Sequence, residues 1–202
     1  MASFKPITQF KIKDVKNAYS RPILALFSSL YPEYIYAVKK ARKPNSNLIK
    51  YNLVKLGHDL GFRVYANGLT PEQLEDQKLK YHFVNREFLF DIHWYRDKAD
   101  YYYTPESISL VGESELGDRR KGDQSKRKNP AVMFDFQKLL VANAELRLLI
   151  FKVRNKEELE ALDDYFIKAI RAYQLLRKGS PFLFVCFMHS SKMLYFSEKR
   201  KA

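Results

Sequence analysis

Two apolar periods alternate along this chain, and each marks a different kind of element. Between residues 14 and 42, Ile23, Leu24, Phe27 and Leu30 recur at helical spacing, and Pro22 and Pro32 should break that stretch or sit at first turns. Turn chemistry in KPNSN, 43–47, predicts a loop. Residues 48–61 read as an amphipathic helix with a face of Leu48, Tyr51, Leu53, Leu56 and Leu60, stopped by Gly61. The period then shortens. Strands are expected over 62–67, over 87–95 (EFLFDIHWY) and over 107–116 (SISLVGESEL), with a polar loop or short helix opening at Pro71 between the first two. A loop at 117–130 holds two glycines, a proline and six bases. Helical spacing returns over 131–144. Residues 146–153, LRLLIFKV, have almost no polar interruption and predict a buried central strand. The clearest helix pattern covers 155–179, with Asn155 as cap, Glu157 and Glu158 in the first turn, and Arg177 and Lys178 near the end before Gly179. Two strands around His189–Ser191 close the chain.

This order, α, α, β, β, β, α, β, α, β, β, predicts a single α/β domain over 1–202, with a mixed central sheet flanked by helices. A helical part over 1–47 opens it. Composition agrees: 202 residues, 46% hydrophobic and 15% aromatic, suffice for a sizeable core and exclude disorder. There is no run of apolar residues long enough for a membrane span, and the first residues lack the apolar core of a signal peptide. The lone cysteine, Cys186, sits among apolar neighbours and reads as a buried inert thiol. No disulfide or cysteine zinc site is available, and a soluble, cytoplasmic protein is expected. The net charge of +13 points to a polyanionic partner.

Candidate chemistry centres on carboxylates. In a strand, residues two apart face the same way, so Glu113 and Glu115 share a side. The same rule, applied to 87–95, puts Glu87, Leu89, Asp91 and His93 together and makes Asp91 a lone acid in an apolar strand. A buried carboxylate is costly unless paired or bound to a cation. If the two strands are neighbours, Asp91 and Glu113 approach each other and invite a divalent ion. Oxygen ligands on a small site suit magnesium or manganese.

Helix, strand with Asp91, strand with Glu113-Ser114-Glu115, helix, strand: over roughly 48–153 this order resembles the core of the PD-(D/E)XK nucleases, the restriction-endonuclease-like fold. The resemblance implies that Asp91 and Glu113 bind the metal, with the backbone carbonyl of Ser114 able to join them. It also implies a lysine where this chain has Glu115. Some members of the fold carry Glu there and remain active. Two readings stay open: Glu115 acts as a second metal ligand or general base, or the positive charge has moved to Lys138 on the following helix. Many families of the fold also carry a Glu on the first helix, where this chain offers only Asp59.

Arg119, Arg120, Lys121, Lys126, Arg127 and Lys128 follow the carboxylates directly and are expected to meet nucleic-acid phosphates. Lys39, Lys40, Arg42 and Lys43 form a second basic cluster, and residues 199–201 a third. DNA is favoured over RNA, no membrane partner is expected, and a two-fold homodimer would be the simplest way to cut both strands. The alternatives are a nucleic-acid binder of the same fold with a lapsed site, or a subunit whose bases meet an acidic protein. Tyr101, Tyr102 and Tyr103 read as packing residues rather than base-stacking ones, and His93 as a structural histidine.

Overall fold

The computed structural model describes residues 3–39, 46–76, 86–98, 104–116 and 129–202. Seven strands form one mixed sheet: β1 (Lys5–Pro6), β2 (Arg63–Ala66), β3 (Ile92–Asp97), β4 (Pro105–Glu115), β5 (Leu146–Val153), β6 (Pro181–Met188) and β7 (Met193–Arg200). Their spatial order is β1-β7-β6-β5-β4-β3-β2. Only the β4–β5 and β5–β6 pairs are parallel, and these are the pairs joined through long helices, α4 (Pro130–Val141) and α5 (Lys156–Ala172). The remaining pairs are antiparallel.

Helices cover both faces. Helix α1 (Ser20–Lys39) and helix α2 (Ser46–Asp59) bury Ile23, Leu24, Phe27, Ile49, Leu53 and Val54 against Trp94, Leu110 and Leu148. On the opposite face α4 and α5 bury Phe136, Leu139, Leu162 and Phe166 against Leu149, Phe151, Phe182 and Phe184. The single α/β domain with a helix-flanked mixed sheet is therefore as the apolar pattern predicts. Residues 146–153 form the strand expected of them, central and almost wholly buried. Cys186 is fully buried and its thiol is pushed up by burial, as befits an inert side chain. No helix among the described residues is long and apolar enough to cross a membrane.

Four local expectations fail, three of them for a visible reason. Pro22 does sit in the first turn of α1, but Pro32 lies inside the helix rather than breaking it. The buried face of α2 is Ile49, Lys50, Leu53, Val54 and Gly57, rotated from the one expected. Gly57 explains the rotation: a Cβ there would lie 2.5 Å from the Trp94 indole nitrogen, so the indole occupies the room a side chain would need. Strand β3 starts at Ile92, not at residue 87, because Leu89 adopts a left-handed φ of 66° that turns the chain. Helix α5 ends at Ala172, not near Gly179, and Arg177 and Lys178 lie beyond it. Its last carbonyls are taken by Lys201, whose Nζ donates to the carbonyls of Ile170 (2.9 Å), Arg171 (2.6 Å) and Tyr173 (3.0 Å). A short helix, α3 (Pro71–Leu74), opens at Pro71 as expected, with a Thr70–Gln73 capping box.

Candidate active site

Strands β3 and β4 are antiparallel neighbours, and Ile92 stands opposite Gly112. Asp91, one residue earlier, therefore comes level with Glu113. The expectation that Asp91 lies in mid-strand is corrected: it is a half-buried residue on the bend just before β3. This position matters. The Ser114 N–H, past the end of the β3–β4 register, donates to the Asp91 carboxylate at 2.9 Å through Oδ2. In an antiparallel ladder a residue's N–H and C=O face the same neighbour, so the Ser114 carbonyl looks toward this same open edge.

Two further groups hold Asp91. Asn67, immediately after β2, donates from Nδ2 to Oδ1 at 2.8 Å. Its backbone N–H donates to the Asp91 carbonyl at 3.0 Å. Lys50, on α2, brings Nζ to 3.2 Å from Oδ2 and also donates to the Asn67 side-chain oxygen. Asp91 is thus paired with a lysine.

Glu113 faces the α4 side of the sheet, between Val111 and the Leu149 strand. It is 1% exposed, so it is not a solvated strand-end acid. Lys138 of α4 places Nζ 2.8 Å from its Oε1 and 3.3 Å from Asp135 Oδ1, one turn earlier on the same helix. Burial pushes the Glu113 carboxyl up to about 8; the Lys138 ammonium pulls it back, while the charges of Asp91 and Asp135 push it further up. Burial works against the Lys138 ammonium too, but Glu113 and Asp135 outweigh it and hold its pKa above the usual lysine value. Glu115, two residues on, is half-buried on the same side of the sheet.

The structure thus brings Asp91, Glu113, Ser114 and Lys138 to one end of β4, with Glu115 beside them. Neither a family model, nor a curated protein, nor a solved structure matches this chain. What the site can do rests on its own residues. Among the described residues no group of three or more His, Cys, Asp or Glu side chains is disposed to hold a metal ion. The carboxylates of Asp91 and Glu113 stand level across β3 and β4, each paired with a lysine of its own.

His93 is fully buried between the rings of Tyr65 (5.1 Å), Phe88 (4.7 Å) and Tyr95 (5.5 Å). Burial pushes its imidazole down to about 4, which makes it a neutral packing residue. Of the third basic cluster, Lys199 is buried and paired with Asp163 at 2.6 Å, Arg200 pairs with Glu198, and Lys201 caps α5. All three are thus engaged within the fold. Arg119, Arg120, Lys121, Lys126, Arg127 and Lys128 lie outside the described residues, as do Tyr101, Tyr102, Tyr103, Lys40, Arg42, Lys43 and the side chain of Lys39.

Sequence reasoning missed Lys50, Asn67 and Asp135. Lys50 had a signal: it stands three, four and seven residues before Leu53, Val54 and Gly57, in line with an apolar stripe. A lysine in that line needs a buried partner. Asn67 and Asp135 carry no comparable mark, since a polar residue after a strand or beside a helix lysine is ordinary.

Proposed function

We propose that the protein is a metal-dependent nuclease that hydrolyses phosphodiester bonds in DNA. One observation carries this reading: carboxylates from the ends of two neighbouring strands, Asp91 and Glu113, converge beside lysines delivered by two different helices. The order helix α2, Asp91 before β3, Glu113 on β4, helix α4, strand β5 supports a restriction-endonuclease-like fold of the PD-(D/E)XK kind.

The donor set fits a small divalent ion. Magnesium needs only one or two carboxylates and keeps several waters, so two acids suffice. A buried carboxyl beside another acid is unfavourable as two anions, and a cation would relieve that conflict. Asp91, Glu113 and the Ser114 carbonyl would hold Mg2+ or Mn2+. When bound, such an ion polarises a phosphoryl oxygen and lowers the pKa of a coordinated water. Lys138, a third of whose side chain is exposed, supplies the positive charge that the motif otherwise places at residue 115, and stabilises charge developing on the phosphate. Glu115 takes the role of proton acceptor on the same face. The +13 net charge and the bases at 119–128 provide the polyanion attraction, and a homodimer would present two such sites to a duplex.

A second reading draws on a different fact. Both carboxylates already have lysine partners, so the cluster is compensated without a metal. That is what a DNA-binding protein with a lapsed site would look like.

Nicking of supercoiled plasmid with Mg2+ or Mn2+ separates the two. We expect metal-dependent nicking that drops by about a hundredfold or more in Asp91→Asn and in Glu113→Gln. Undiminished nicking in either variant would remove that residue from the site. Absence of nicking together with tight, salt-sensitive binding would leave the non-catalytic reading.

A further inference from the structure

Lys50 stands on α2, the helix that opens the nuclease-like order, and was not among the site residues expected from the sequence, yet it reaches the candidate site. Its residue is 7% exposed. A buried ammonium is costly unless it is paired and hydrogen-bonded. Here it has two oxygen partners, Asp91 Oδ2 and Asn67 Oδ1, and Asn67 in turn donates to Asp91 Oδ1. The three side chains close a ring of contacts. Asp91 itself sits on a bend two residues after the left-handed Leu89, and the Asn67 N–H holds its carbonyl at 3.0 Å. What fixes its carboxylate is this ring and the Ser114 N–H.

We propose that Lys50 is a positioning residue for this site: with Asn67 it clamps the Asp91 carboxylate against the end of β4, tying the geometry of the acid pair to helix α2. The proposal deepens the nuclease reading and rests on it for its catalytic meaning. It also explains how a chain with Glu115 in place of the motif lysine keeps two opposed carboxylates aligned: Lys138 serves Glu113 from one face of the sheet, and Lys50 serves Asp91 from the helix on the other. Such supporting contacts commonly change metal affinity or activity by about ten- to a hundredfold when removed.

The clamp has a readout that needs neither metal nor DNA. The Ser114 amide proton is held by Asp91, and its hydrogen exchange reports whether the carboxylate stays in place. We expect Lys50→Met to speed Ser114 exchange by about tenfold or more, while the amides of β5 and β6 exchange as before. Lys50→Arg, which keeps a cation of similar reach, should restore much of the protection. In the plasmid assay Lys50→Met should raise the Mg2+ concentration needed for half-maximal nicking, again with recovery in Lys50→Arg. Unchanged Ser114 exchange in Lys50→Met would overturn the clamp, whatever the nicking assay gives. A lower Mg2+ requirement in that variant would also overturn it, by making Lys50 a competitor of the cation rather than a support for its ligand. A wild-type chain that nicks nothing would sink the nuclease reading alone, and the amide would still decide whether Lys50 holds Asp91. If Lys50→Met fails to fold, Asn67→Ala tests the same ring from its other side, with the same amide as the readout.

Discussion

Among the described residues Glu113 carries a sharp conflict, a carboxyl with 1% exposure beside Asp91, Asp135 and one lysine. Its pKa in the fold, about 8, lies above the ordinary glutamate value of 4.5 that it takes in the unfolded chain. The folded state therefore binds the extra proton. The stability this confers is complete below the unfolded value and is lost as the pH rises through that window toward 8. We expect unfolding free energy to fall with a slope of at most about 1.4 kcal/mol per pH unit between about pH 5 and pH 8, and the slope to flatten in Glu113→Gln. Urea titrations of both proteins across that range would show it, and parallel curves would mean that Glu113 is ionised throughout. At this scale the sequence was partly legible. Asp91 and Glu113 could be picked out because acids in apolar strands are unusual, and Lys138 only through the resemblance. Their partners could not, because Lys50 and Asn67 lie 41 and 24 residues before Asp91 and are brought to it only by the packing of α2 and β2.

Elements were most legible where one force dominated. Strand β5, almost wholly buried, shows its limits as an apolar run broken only by Arg147 and Lys152. The limits of α5 and β3 were hidden because distant groups set them. Lys201 receives the end of α5, and the turn at Leu89 delays β3. Likewise the face of α2 is decided by the indole of Trp94, which lies on another element. This gives a direct test. Gly57→Ala must push the helix from the sheet or the indole from its slot, and we expect destabilisation by about 1–3 kcal/mol in urea unfolding followed by circular dichroism. A variant as stable as the parent would show that α2 has slack against β3, and with it that Lys50 is not held at a fixed height.

For the whole molecule the dominant facts are one sheet, two helical layers and an excess of positive charge. Fold class followed from the order of periods along the chain, because short antiparallel links and long helical crossovers leave few ways to arrange the strands. Association with a polyanion is a property at this scale too. We expect the logarithm of DNA affinity to fall linearly with the logarithm of salt concentration. Replacing Arg119, Arg120 and Lys121 by alanine should make the slope shallower by about 0.9 for each phosphate that these bases neutralise. Fluorescence anisotropy with a labelled duplex measures both. An unchanged slope would remove these three bases from the interface.

The only tryptophan in the chain, Trp94, is fully buried, stacks on Phe62 at 5.8 Å and fills the notch at Gly57. The protein is thereby supplied with its own optical label, set behind the helix that carries Lys50. Its emission needs no dye and no tag, and there is no second tryptophan to be resolved from it. Any cation or duplex that shifts α2 against β3 will be seen as a change in colour or intensity from this one indole, so occupancy of the site becomes a titration that can be followed in a cuvette.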